Sequence, residues 1–495
     1  MRGVLLALAI VAGAGIAMSL LVASRRDAAS AQMRDELAVD IERGGLAGLA
    51  RAQARARRLL VADPGDPTAV AALAFANAVL AVDYGVDTAG EIQKLLARAA
   101  PDPARAQGET SMAAAARALL LLAGGDPDGA ARVAIAAAKL APDAPYPLYA
   151  LGRARARAGD LAGASRALEA ALLEAPGFTL SEVAWAEVQL DAGEAQAARD
   201  ALSRALARAG EDPRATLLLG EAERALGLSA GDHAICATLV AAGKKGGTPH
   251  WPPAATLAAC ELAQATTARL TGHRGEAQVH AEEAARLAPA EPRLLARTAQ
   301  MLAELGPVDW AAGLLERARH LAAADAPALA WAEAAVALGR GRTPALPGGA
   351  RPANPETRLL IARAALSAGG VGALRAALGT FEEAQVKHDA DLSLLAQRFV
   401  SPGDAAGGGG PGGGPDQNAA DADPWRAYLD GLRAELAGNL PEAAASFGRA
   451  LSGHGDACRA AGEYVATLRL LKRPENPAPS LTALRAENAR CVNLH

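Results

Sequence analysis

A 34-residue spacing governs this chain. Gly125, Gly159 and Gly193 stand 34 apart, each followed by an acid: Asp126, Asp160 and Glu194. Ala130, Ala164 and Ala198 come five residues after the glycines, and Ala137, Ala171 and Ala205 seven after that. Pro142, Pro176 and Gly210 close the units. The same spacing returns in Gly272 and Gly306, Ala277 and Ala311, and Ala284 and Ala318. A fixed period of this length means a stack of equal units, none of which can bury its apolar faces alone. One ordinary globular core is therefore excluded for 495 residues.

Composition says what the units are made of. Apolar residues reach 51 % but aromatics only 3 %. The excess is alanine, in runs such as Ala113–Ala116 and Ala136–Ala138. Alanine has the highest helix propensity and little side chain to bury, so the units are thin, closely approaching helices and the fold class is all-α.

The clearest copy, Pro145 to Phe178, reads PYPLYALGRARARAGDLAGASRALEAALLEAPGF. It resembles the tetratricopeptide repeat at Leu148, Leu151, Gly152, Gly159, Asp160, Ala164, Leu168, Ala171 and Pro176. The resemblance implies two antiparallel helices per unit, stacked into a right-handed superhelical solenoid. Gly152 and Ala164 let the helices approach, Gly159 permits the turn, and Pro176 stops the second helix. Leu151 and Leu168 fill the space between hairpins. The usual Trp and Tyr positions of the family lack aromatics here.

On this register, clear repeats cover 111–144, 145–178, 179–212, 258–291 and 292–325, within a helical region spanning 25–400. Residues 213–257 and 326–400 read as irregular, degenerate repeats. A Gly/Pro-rich stretch, 401–423, reads as a disordered linker. Residues 424–495 then supply further hairpins and a polar cap, with Gly438, Asn439, Ala443, Phe447 and Ala450 back in register.

Residues 3–24 carry no charge over 22 positions, enough to cross a bilayer core at about 1.5 Å per residue. Arg2 flanks one side, Arg25 and Arg26 the other. A cleaved signal peptide competes, since Ala29-Ser30-Ala31 has a cleavage-site form. The apolar stretch is longer than a usual signal core and two arginines precede that site, which favours an uncleaved anchor.

Charge is nearly balanced, with 50 basic and 54 acidic residues mixed along the chain. Nothing gives the basic, aromatic-interleaved footprint of a nucleic-acid binder. The run Arg51, Arg55, Arg57 and Arg58 reads as a solvated helix face. Gly243 to Thr248 has phosphate-loop residue types without the spacing or a preceding strand. His273 and His280 are seven apart and could share a helix face, but no carboxylate or cysteine is expected to complete a metal site. Acids such as Asp160, Glu194 and Asp232 sit at helix starts, where they satisfy orphan amides. No catalytic residue, cofactor or metal is expected, and the chain is not expected to be an enzyme.

The four cysteines fall in two pairs. Cys236 and Cys260 are nearly symmetric about the loop 243–253, Cys458 and Cys491 about 473–479. Residues equidistant from the turn of an antiparallel hairpin lie side by side, so both pairs are candidate disulfides. Bridges would place the repeats in an oxidising space. Together with the Arg-, Ala- and Gly-rich composition of a GC-rich coding sequence, this suggests a single-pass protein of a bacterial inner membrane with periplasmic repeats.

The resemblance implies a protein or peptide partner in a groove lined by first-helix residues. Arg153, Arg155 and Arg157 lie in the first helix of the clearest copy, and their alternate spacing means that they cannot all face that groove. The alternative is an assembly subunit of an envelope or secretion machine without a groove ligand. A polar, Arg-lined inner face would favour the first reading. A broad apolar stripe on the outer face would favour the second.

Overall fold

Four glycines of the period adopt one backbone conformation. Gly125, Gly159, Gly193 and Gly272 have φ of 83°, 83°, 82° and 83°. This left-handed region is strained for residues with a Cβ, so glycine is required to end each first helix sharply. Around three of them the closing hydrogen bonds repeat as well. The amides of Asp126, Glu194 and His273 donate five residues back, to the carbonyls of Leu121, Gln189 and Ala268 at 3.0, 2.8 and 2.8 Å. That bond belongs to the Schellman helix stop. The acid of Asp126 then starts the next helix by accepting from the Gly129 amide at 2.7 Å.

The computed structural model describes residues 25, 28–98, 111–244, 253–287, 291–321, 327–342, 344–346, 355–399, 424–436, 439–450 and 464. The apolar segment 3–24, the stretch 401–423, the residues around the 473–479 turn, Cys458 and Cys491 lie outside the described residues.

The helices run in chain order. A first helix α1 covers 28–43. It is followed by α2 (Gly45–Ala62), α3 (Pro67–Tyr84), α4 (Ala89–Arg98), α5 (Ser111–Ala123), α6 (Pro127–Leu140), α7 (Pro145–Arg157) and α8 (Leu161–Glu174). Next come α9 (Thr179–Asp191), α10 (Ala195–Ala209), α11 (Pro213–Ala225), α12 (His233–Lys244), α13 (Ala254–Leu270), α14 (Arg274–Leu287), α15 (Pro292–Leu305) and α16 (Val308–Leu321). The series ends with α17 (Pro327–Gly339), α18 (Pro355–Leu378), α19 (Glu383–His388), α20 (Ala390–Phe399), α21 (Pro424–Leu436) and α22 (Leu440–Ala450). No strand occurs among the described residues. The fold is all-α, and up to α16 consecutive helices read as first and second members of hairpins.

The register alanines are the contacts that let these helices approach. Ala130, Ala164, Ala198, Ala277 and Ala311 are fully buried, as are Ala171, Ala205, Ala284 and Ala318. Leu168 lies against Gly152, where an added Cβ would meet its Cγ at 2.4 Å. Second helices bury a single stripe. In α14 the buried residues are Arg274, Ala277, Ala281, Ala284 and Ala285, and in α16 Ala311, Leu314, Leu315 and Ala318. First helices are buried on more than one face, as in α13 and α15.

The chain forms two compact units. The first takes the described residues up to Arg155, with Ala162–Trp185 and Arg204–Asp212; the second takes the rest. In the first unit α3 is long and apolar enough to cross a membrane, yet 78 % of that window is buried inside the fold. Asn77 at its middle accepts a hydrogen bond from Gln53 Nε2 at 2.5 Å. It is a core helix and is distinct from the candidate anchor.

Candidate functional site

The surface that the repeat resemblance points to is the inner face, formed by the first helix of each hairpin. In the first unit it is filled by aromatics. Phe75 of α3, Tyr146 and Tyr149 of α7, and Phe178 just before α9 meet edge to face. Their ring centroids lie 5.2 Å apart for Phe75–Tyr146, 5.5 Å for Tyr146–Phe178 and 5.7 Å for Tyr149–Phe178. Beside them the Asp83 side chain is fully buried, accepting from Tyr149 Oη at 2.5 Å and pairing with Arg153 at 2.8 Å. Tyr84 donates to Asp212 at 2.7 Å. Hairpins far apart in sequence are thus tied together through their first helices. Arg153 is committed to this buried pair, and Arg155 donates to the Gly163 carbonyl at 3.1 Å.

In the second unit the inner face is charged. Arg293 of α15 reaches Asp191 of α9 and Glu221 of α11, each at 2.9 Å, and Arg297 reaches the same Glu221 at 2.5 Å. Arg157 pairs with Glu291 at 3.0 Å, and Arg214 with Glu187. Burial alone would raise the Glu221 carboxyl, but Arg293 and Arg297 outweigh it and hold it below its usual range. Deeper in, Arg269 pairs with Asp389 at 2.9 Å and Arg274 with Asp391 at 2.8 Å. Glu356 accepts from Thr266 Oγ1 at 2.6 Å.

Glu304 is the exception in this network. Among the described residues its Oε2 has no hydrogen-bond partner, and its Oε1 takes a long bond from Gln300 at 3.4 Å. Burial first, and then the nearby Glu356 charge, push its carboxyl up to about 8 despite Arg269 and Arg363. Glu304 therefore holds its proton much more firmly than an ordinary carboxyl.

Other sequence-singled residues fall as follows. Cys236 and Cys260 stand at disulfide distance, with Cα atoms 5.1 Å apart, inside a small cluster with Leu217, Leu239 and Ala263. Arg51, Arg57 and Arg58 are exposed, as on a solvated helix face, and Arg51 and Arg55 also reach Asp40, at 2.9 and 2.6 Å. Asp232 does more than start a helix: both its oxygens accept from Arg224, at 3.0 and 2.9 Å. His280 has a carboxylate partner that sequence spacing hid, Glu261 at 2.6 Å. No group of three or more ligands suited to a metal occurs among the described residues. The partners of Asp83, Glu221 and Arg269 were invisible in sequence, because they come from other hairpins.

No family model and no curated protein matches the chain. Solved structures of helical-repeat proteins are similar to it. Human IFIT1, solved as a dimer with PPP-AAAA, is 16 % identical over 82 % of this chain and 85 % of that one, at a TM-score of 0.36. Yeast Tom70 is 11 % identical over 87 % of each chain, at 0.28. The P58(IPK) TPR domain is 11 % identical over 73 % of this chain and 98 % of that one, at 0.22. The fold assignment stands on this chain's own hairpins, turn glycines and buried alanines: it is an all-α protein of tetratricopeptide-like helical hairpins.

Proposed function

We infer that this chain is a non-enzymatic assembly scaffold that meets protein partners on the outer faces of its hairpins. In this reading residues 3–24 tether it to a bacterial inner membrane, and the hairpins stand in the periplasm. The observation behind it is that the first-helix faces are taken up by the chain's own aromatic and charged side chains. Large apolar side chains left in water lie mostly on second helices instead. Val61 of α2, Leu140 of α6 and Leu173 of α8 are 86, 89 and 80 % exposed, each in the last turn of its helix. Val279 of α14 and Trp310 of α16 add to them.

A peptide ligand in the inner groove is the second reading, favoured by the arginines of that face. Capture from native membranes with the full-length chain separates the two. An outer-face scaffold retains a stoichiometric partner that Leu140→Glu with Leu173→Glu abolishes. Undiminished capture by that variant would overturn the outer-face reading and favour the groove.

A further inference from the structure

Residues 355–399 depart from the hairpin pattern, and they attach differently from any hairpin. α18 kinks at Gly370, where φ is 73°. Helices α18 to α22 share an apolar core that includes Leu366, Leu392, Leu395, Trp425 and Tyr428. Helices α13 to α17 share another, to which α18 adds only Leu360 and Ala364 as buried members. The seam between these cores is polar: the pairs Arg269–Asp389 and Arg274–Asp391, and the bond from Thr266 to Glu356. Arg358 further donates to the carbonyls of Ala225 and Arg224 at the end of α11, at 2.9 and 3.2 Å, and Gln385 donates to Ala225 at 2.9 Å. The chain passes so close there that a Cβ on Gly227 would meet the Ala384 carbonyl carbon at 2.7 Å. One segment therefore reaches α11 and α13 and packs on α15, three successive first helices.

The two arginines read a specific shape. Asp389 takes Arg269 on Oδ2, while its Oδ1 accepts the amides of Asp391 and Leu392 at 3.0 and 3.2 Å, capping α20. Asp391, one residue into the same helix, takes Arg274. Arg269 is contacted through one nitrogen only, and its Nε and Nη1 have no hydrogen-bond acceptor among the described residues. Arginine binds carboxylates best through two parallel bonds, so the segment in place leaves donors unused. Buried charges of this kind add little net stability over apolar packing but strongly penalise an occupant without the matching charge.

We propose that Arg269 and Arg274 form a socket for an acidic helix start of the form Asp-x-Asp, filled in this chain by Asp389 and Asp391, and that a partner segment of the same chemistry exchanges with it. The inner face is then self-occupied, and this holds whether or not outer faces carry other partners. The test uses a fluorescent peptide of residues 386–395, VKHDADLSLL, with the full-length chain and its Asp389→Asn/Asp391→Asn variant. The variant should bind the peptide at least tenfold more tightly than the wild type, and an Asn-x-Asn version of the peptide should lose that binding. Equal or absent binding to both chains overturns the proposal. Should the variant fail to fold by circular dichroism, hydrogen exchange on the wild type decides. Saturating peptide should speed amide exchange in α18–α20, and unchanged exchange overturns the proposal.

Discussion

Leu168 lies over Gly152 so closely that a single added Cβ would stand 2.4 Å from its Cγ. The two helices of that hairpin meet at the neighbouring Ala164, which is fully buried. Ala164→Leu and Gly152→Ala should each overpack this contact and destabilise by ~1–3 kcal/mol. Ala162→Leu, on an exposed position of the same helix, should stay within about 0.5 kcal/mol. Urea unfolding of the three variants checks this; equal effects at 162 and 164 would break the register.

Glu304 supplies a pH prediction. Its folded value of about 8 lies above the ordinary 4.5. Between those values the unfolded chain has lost the proton that the folded chain keeps. Glu304 therefore opposes folding increasingly as pH rises from about 4.5, and the penalty levels off above about 8. Glu304→Gln mimics the protonated form. It should be nearly neutral at pH 5 and stabilising at pH 8, on the order of 1–4 kcal/mol. Melting curves at the two pH values test it, and a variant less stable at pH 8 than at pH 5, relative to wild type, would contradict it.

How far the sequence carries is clearest at particular residues. The turn glycines and register alanines are legible because each acts within one hairpin, where spacing along the chain equals position in space. The juxtaposition of Cys236 and Cys260 is local in the same sense. Phe75 and Phe178 are in one aromatic cluster but belong to different hairpins, and no period marks them. Arg269 and Asp389 are 120 residues apart. Their pairing brings in 355–399, a segment read as irregular, degenerate repeats, where no period marks a partner. Burial of Arg153 was hidden likewise, because its partner Asp83 stands 70 positions earlier.

The cysteines test compartment. With Cα atoms 5.1 Å apart, Cys236 and Cys260 are placed to bridge. In an oxidising space the linked peptides should appear in non-reducing maps of thiol-blocked protein. Closing this loop should stabilise by roughly 3 kcal/mol on the chain-entropy model. Cys236→Ser should lower the melting temperature to the same extent as adding a reductant. Free thiols in the blocked native protein would point to a reducing compartment.

The tether is tested by fractionation. Membranes washed with high salt and carbonate should keep the full-length chain, and a chain starting at Met33 should be released. A mature N-terminus near Gln32 would identify a cleaved signal instead.

The central claim is that the first-helix faces are filled from within. Thiol labelling measures it directly, using Thr266→Cys and Gln300→Cys on the inner face and Val279→Cys on an outer one. Thr266 and Gln300 are buried, whereas Val279 is 65 % exposed. A bulky maleimide should react with the Val279→Cys variant within minutes and with the other two only on unfolding. Labelling of all three at similar rates would mean that the inner face is an open groove.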